Sequence, residues 1–599
     1  MKQFLIGGLC LFIFACNEGN QKLQQEAQVF IDEYTSSYVK LYKASSEAQW
    51  RSNIEIKEGD STNAIETRKT GEAIAAFTGS AEVIEKAKKF MAQKTELTPI
   101  QAKQIEVILF TAANNPATVD SLVKARIKAE TEQTEKLFGF QYRIGTKKVS
   151  TNDIDGVLKD ETDLAKRRQA WEASKEVGKG LKSGLLNLRE LRNQTVQALG
   201  YKDYFNYQVS EYGMSTEEMM DLNKKVLSDL WPLYRELHTY MRYHLAEKYK
   251  QTEVPDYIPA DWLPNRWGQD WSGEINVEGI NLDSILKTKG PEWITKQAEA
   301  FYVSLGYPAL PPVFWEKSSL YPYPADSNVK KNNHASAWHM DLNNDVRSLM
   351  SVEGNSEWWE TANHELGHIY YYITYTTPEV PPLLRGGANR AYHEAMGTLM
   401  GLAAMQKPFL QQAGLIPAGV KTDSIQSLLK EAMNTAVFIP FSSGTMTGFE
   451  KSLYADRLSP DQWNHKWWEL AKMYQGIVPP TERGEEYCDA ATKTHINDDA
   501  AQYYDYALSY VILYQMHQHI CKNILKQDPH ACNYFGSTAT GEFLRQIMKH
   551  GSSRDWRQVL KETTGEDLNA KAMVEYFDPL MKWLKVHNQG KKYSLPEHI

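Results

Sequence analysis

Two histidines four residues apart constrain this chain more than any other feature. They are His364 and His368, in the run His364-Glu365-Leu366-Gly367-His368. Side chains at i and i+4 stand one above the other only where the backbone is helical. In a helix, two imidazole nitrogens then face one point and Glu365 lies beside it. The pattern predicts a helix carrying two metal ligands and a carboxylate that can take a proton from a bound water. Ser356 suits the N-cap, Glu357 and Glu360 complement the positive end of the helix, and Pro378 ends the run.

A catalytic zinc ion takes three protein ligands and a water, whereas structural sites are closed by four. The third ligand must come from another segment. Gly386-Gly387 predicts a turn, and 388–405, rich in Ala, Leu and Met, predicts the next helix. Glu394 sits inside that apolar stretch, where a carboxylate needs a partner. Two antiparallel helices joined across 378–387 bring Glu394 beside the two histidines. His393 is the rival ligand, but it projects about 100° away from Glu394 around a helix. One zinc ion held by His364, His368 and Glu394 is therefore expected.

The rest of the chain is mostly helical in pattern. Leu23, Ala27, Phe30, Tyr34, Tyr38 and Leu41 recur at helical spacing, and similar patterns occupy 181–199, 217–248, 425–437 and 506–524. Strand signals are sparse: 334–338 and 346–352, with Asn343-Asn344 as a turn. Proline-rich breaks at 255–264, 308–324, 378–382 and 479–480 read as loops, and none is long enough to divide domains. A net charge of -8 argues against nucleic acid as a partner.

At the N-terminus, Lys2 precedes an apolar run from residue 4 to 15 that is too short to span a bilayer. Ile13-Phe14-Ala15-Cys16 is similar to a bacterial lipobox. Residues 1–15 are thus expected to be a signal peptide, with Cys16 a lipid anchor and 16–25 a tether. A single catalytic domain over 26–599 would sit outside the cytoplasm, on the bacterial cell envelope. Of the remaining cysteines, Cys521 and Cys532 close a short loop containing Asp528-Pro529. They are the expected disulfide, with Cys488 free; three unpaired thiols are the alternative.

Beyond the metal motif, longer stretches resemble the angiotensin-converting enzyme family of zinc peptidyl dipeptidases. These are 385–389 with His393-Glu394-Ala395, 334–338, Trp467-Trp468, Tyr474-Gln475-Gly476 with Pro479-Pro480, and Tyr576-Phe577 through Trp583-Leu584. The resemblance implies a mainly α fold: two subdomains around a deep central channel, a very small β-ribbon, and N-terminal helices as a lid. It implies removal of C-terminal dipeptides from oligopeptides. Gln269, Lys493 and Tyr503 match the residues that hold the substrate carboxylate. His495 and Tyr506 match those that stabilise the reacting oxygen, and His334 and Ala335 match the strand beside the substrate.

A family relative that removes single residues has Arg where Gln269 stands, so a carboxypeptidase is the neighbouring alternative. A catalytically inactive, lipid-anchored peptide-binding protein is the other. Four departures from the family pattern are visible. Thr398 replaces an Asp behind the first zinc histidine. Asn333 and Ser351 stand where the family has a disulfide. Ala471, Asp505 and Lys175 fall where its chloride-binding arginines lie, so chloride activation is not expected. A lipoprotein-like start replaces the animal proteins' C-terminal anchor.

Overall fold

The structure is a computed structural model describing residues 4–599 except 58, 278–281, 325 and 333, with side chains described from residue 20 onward. Residues 1–3, Asn333 and the Cys16 side chain lie outside this description. The chain is mainly α, as expected. Among the described residues, strands form three two-stranded ribbons where one was expected. Arg143–Ile144 pairs antiparallel with Lys147–Lys148, and Ile258–Pro259 pairs parallel with Ile477–Val478. These two-residue strands are too short to leave an alternating pattern in the sequence. The third ribbon, Ser336–His339 against Val346–Leu349, pairs Ser336 with Leu349 and His339 with Val346. It begins at Ser336, so His334 and Ala335 precede the strand and do not belong to it.

Local chemistry explains the main helices. Thr216–Lys248 starts at a reciprocal capping box: Ser215 Oγ accepts from Glu218 N, and Glu218 accepts from Ser215 N. One face then buries Met219, Val226, Leu230, Leu233 and Leu237. The motif helix spans Ser356–Tyr375, but its N-cap is Asn355, whose side chain accepts from Trp358 N at 2.9 Å. Asn355 holds the extended conformation a cap needs, while Ser356 is drawn to Asp283 by two hydrogen bonds. The following helix is Arg390–Met405, capped by Asn389 on Tyr392 N at 3.0 Å, so it starts later than residue 388.

The N-terminal helices form a separate small core. Leu23, Ala27, Phe30, Ile31 and Tyr34 of helix Phe4–Ile54 pack with Ala87 and Phe90 of Ala81–Met91 and with Ile105 and Ile108 of Pro99–Asn114. Leu23 lies one helical turn before Ala27 and is already buried, so ordered packing starts inside the stretch expected as a tether. Beyond this core, Trp50 meets Met340 and Leu349 of the ribbon region in a further, minor cluster. Both Nη atoms of Arg347 reach the Glu47 carboxylate, and Tyr42 Oη donates to His339 O at 3.1 Å. The N-terminal unit is thus fastened to the ribbon that precedes the motif helix.

A buried ammonium closes the base of that ribbon. Lys331 Nζ donates to Ser319 O, Ser319 Oγ, Tyr321 O and Met350 O, tying the segment before the first strand to the end of the second. Burial pulls its pKa down to about 8. Among the described residues, no helix is long and apolar enough to cross a membrane.

Candidate active site

The motif helix and helix Arg390–Met405 cross closely because glycines face each other. A Cβ on Gly367 would lie 2.8 Å from Gly397 Cα, and one on Gly397 would lie 2.9 Å from the His364 ring. This approach brings the ligand atoms of His364, His368 and Glu394 within 4.8 Å of one another. His364 Nε2 is 3.1 Å from His368 Nε2 and 3.8 Å from Glu394 Oε2. Burial holds both ring pKa values down to about 4, which leaves neutral imidazoles, the form that binds metal. Burial first, and the Glu394 charge second, push Glu365 up to about 8. Its Oε2 is buried without a hydrogen-bond partner, which an interior polar atom rarely tolerates. Two neutral imidazoles and a carboxylate make the donor set of a catalytic zinc site, and the orphaned Glu365 oxygen lies on the residue next to His364.

The two histidines are backed differently. Thr398 Oγ1 lies 3.5 Å from His364 Nδ1, a long contact from a neutral hydroxyl. His393 Nδ1 lies 2.9 Å from His368 Nδ1, and the His393 ring stacks on Tyr371 with centroids 4.5 Å apart. His393 therefore stands behind His368, and the group whose ligand atoms converge is His364, His368 and Glu394 without it. When His368 offers Nε2 to a metal its Nδ1 carries the proton, so His393 Nδ1 is the acceptor.

A second cluster gathers residues far apart in sequence. Lys493 Nζ donates to Gln269 Oε1 at 2.8 Å, and Tyr503 Oη reaches the same oxygen at 3.5 Å. Gly268, at φ +61°, permits the turn that presents Gln269, and a Cβ there would lie 2.4 Å from Ile477 Cδ1. The Lys493 ammonium also sits 4.5 Å from the Trp267 ring centroid and 5.2 Å from that of Tyr503. Burial, followed by the charge of Arg266, lowers its pKa to about 7. Here a cation is held among rings and one amide oxygen, a setting that an incoming carboxylate would complete.

Tyr506 stands beside the second cluster, its ring centroid 5.0 Å from that of Tyr503. Tyr506 Oη is 3.4 Å from His495 Nε2, and burial with the neighbouring charges of Lys493 and Arg390 keeps His495 neutral, with a pKa near 3. Arg390, which belongs to no sequence motif named above, donates from Nη2 to Tyr506 Oη at 3.1 Å. One signal for it exists: as the first residue of its helix it places a cation at the positive end of the dipole, an unfavourable position unless something else holds it. His334 is exposed, its Nδ1 turned back on Ala335 O at 2.8 Å. Both lie just ahead of the ribbon, which Tyr372 Oη ties to the motif helix through Ala337 O at 3.2 Å.

Cys521 and Cys532 are buried free thiols that lie against one another, as is Cys488 elsewhere, so the expected bridge is not formed. The Cys532 sulfur is the largest cause of the raised Cys521 pKa, and Cys521 Sγ also borders the His517 ring at 3.7 Å. At the positions where the resemblance places anion-binding arginines, Asp505 is fully buried and accepts from Tyr212 Oη at 2.5 Å. Lys175 is buried between the rings of Trp171 and Trp267.

A family profile described as angiotensin-converting enzyme matches residues 21–595. The angiotensin-converting enzyme-related protein of Drosophila melanogaster is 31% identical over 452 residues, covering 72% of this chain and 70% of that protein. The angiotensin-converting enzyme of Theromyzon tessulatum is 31% identical over 457 residues, 72% of this chain and 71% of the leech protein. That of Mus musculus is 30% identical over 599 residues, 96% of this chain but only 44% of the mouse protein. With the His-His-Glu cluster in place and the family match spanning nearly its full length, the chain belongs to the angiotensin-converting enzyme family of metallopeptidases.

Proposed function

We propose that this protein is a zinc peptidyl dipeptidase that removes C-terminal dipeptides from oligopeptides. The observation that carries the reading is the pairing of two incomplete clusters: a His-His-Glu set beside an unpartnered Glu365 oxygen, and a buried cation at Gln269–Lys493–Tyr503. His364, His368 and Glu394 would hold the zinc. When bound, the ion polarises the scissile carbonyl and makes its water acidic at neutral pH. The charge of a bound dication would return Glu365 to its ionised form, in which it takes the water's proton and later passes it to the leaving amine. Tyr506 and His495 donate to the carbonyl oxygen as negative charge builds on it. Lys493, Tyr503 and Gln269 receive the free C-terminal carboxylate and so set which bond meets Glu365. His334 and Ala335 supply backbone to an extended substrate ahead of the ribbon.

We further infer that the N-terminal helices act as a lid over a central channel, that turnover needs no chloride, and that Cys16 lipidation holds the protein on the outer side of a bacterial membrane. Mass spectrometry of a nonapeptide incubated with the zinc-loaded protein tests the activity. Chelator-sensitive loss of two C-terminal residues is expected. Loss of one residue would make it a carboxypeptidase instead, and an intact peptide would leave only a binding protein.

A further inference from the structure

Arg390 has an arrangement that the fold alone does not call for. It is the first residue of the helix that carries Glu394, and i and i+4 share a face. A cation at that end is opposed by the helix dipole. Two carboxylates hold it there. Nη1 lies 2.6 Å from Asp499 Oδ2, and Nε lies 3.7 Å from Asp505 Oδ2. Asp505 Oδ2 is buried and has no hydrogen bond of its own. Tyr212 Oη donates to Asp505 Oδ1 at 2.5 Å and accepts from Ala391 N at 3.1 Å. The start of helix Arg390–Met405 is thereby locked to the start of helix Tyr504–His519, which carries Tyr506.

One donor of Arg390 remains directed at function. Nη2 donates to Tyr506 Oη at 3.1 Å, and the guanidinium lies 5.5 Å from the Tyr506 ring centroid. A phenol that accepts from a cation has one lone pair occupied and its own proton free for another acceptor. Donation from a charged group also makes that proton a stronger donor.

Resting on the peptidase reading above, we propose that Arg390 is a positioning residue for the reaction: it fixes the Tyr506 phenol with its proton available to the oxygen that becomes negative. Asp499 and Asp505 aim Arg390, and Arg390 aims Tyr506. The charge that supports the oxyanion donor is therefore built into the chain, on the same helix face as the third metal ligand.

A double-mutant cycle tests this on the full-length, zinc-loaded protein. Arg390→Met is expected to lower kcat about tenfold with KM and zinc content unchanged, because a transition-state donor is weakened while ground-state binding is not. In a Tyr506→Phe background the same substitution should cost almost nothing more. Multiplying losses, or a loss confined to KM or to zinc content, would overturn the proposal. Arg390→Lys should restore part of kcat. A second measurement needs no turnover. With 3-fluorotyrosine at position 506, the 19F titration of the phenol should move upward by about one unit in Arg390→Met, since the lost cation no longer favours the phenolate. No movement overturns the positioning role whether or not the protein cleaves peptides, whereas a shift without any peptide hydrolysis in the parent protein overturns only the peptidase reading.

Discussion

The His-His-Glu cluster and the Gln269–Lys493–Tyr503 cluster lack opposite things. His364, His368 and Glu394 gather neutral rings and a carboxylate around a point that wants a cation, with an orphaned Glu365 oxygen beside it. Gln269, Lys493 and Tyr503 gather donors around a point that wants an anion. Their origins differ as well. The metal cluster comes from two consecutive helices and one i,i+4 repeat. The other joins residues 224 positions apart across a main-chain turn. On the function proposed above, a peptide spanning both would supply the missing carboxylate to one and its scissile carbonyl to the other.

The largest expected effect breaks the metal side alone. Glu365→Gln should lower kcat by about 10³-fold or more, since it removes the proton carrier while leaving three ligands in place. Zinc content by atomic absorption should stay at one per chain; lost zinc would mean that Glu365 shapes the ligand set. Next, Lys493→Met should reduce kcat/KM about 100-fold on peptides with a free C-terminus, the cost of losing a charge-assisted contact to a carboxylate. Amidated peptides should be affected far less, and equal losses on both would dissolve the distinction between the clusters.

The same lysine gives the comparison a pH signature. Its pKa is near 7 in the folded protein against an ordinary 10.5. Between those values the unfolded chain holds a proton that the folded chain has released. Lys493 therefore contributes stability that grows as pH rises from 7 to 10.5, because deprotonation relieves the buried charge. Carboxylate binding has the reverse preference, since it needs the ammonium. Affinity for a substrate-like peptide should fall by up to about tenfold per pH unit above 7, with proton uptake seen by calorimetry in buffers of different ionisation enthalpy. Affinity that is flat from pH 7 to 9 would contradict this.

The smallest effect concerns the backing of the zinc histidines. Thr398→Asp should tighten zinc about tenfold in chelator competition, by giving His364 Nδ1 a charged acceptor in place of a hydroxyl 3.5 Å away. Thr398→Val should change little. If Val weakens zinc as much as Asp strengthens it, the long contact matters more than its length suggests.

How much of this could be read from the sequence follows from range. The helix bearing His364 and His368, and Glu394 on the next one, follow from i,i+4 geometry and from the cost of a lone carboxylate in an apolar helix. Gln269, Lys493 and Tyr503 could be found only through resemblance, because no local pattern links a loop glutamine to a lysine in a distant segment. Asn355 took the cap from Ser356 because Asp283, remote in sequence, claimed the serine. Leu23 is legible as part of a helical face, but the partners that bury it lie in later helices. Arg390 was hidden because a charge at a helix start is conspicuous only once the start is known. His393, weighed as a ligand, is placed behind His368 by the 2.9 Å contact between their Nδ1 atoms and by its ring packing on Tyr371.

The ribbon ahead of the motif helix is closed by Lys331, whose ammonium gathers acceptors from Ser319, Tyr321 and Met350, next to Ser351 in a position where relatives are implied to carry a half-cystine. A cross-link of this kind is indifferent to electrons. Thiol reductants that would open a covalent staple leave an ion–dipole clasp untouched, while alkaline conditions that a disulfide ignores would slacken it. The front of the site is thus secured by chemistry that forms as readily in a reducing compartment as in an oxidising one, and no oxidase or isomerase is needed to complete it.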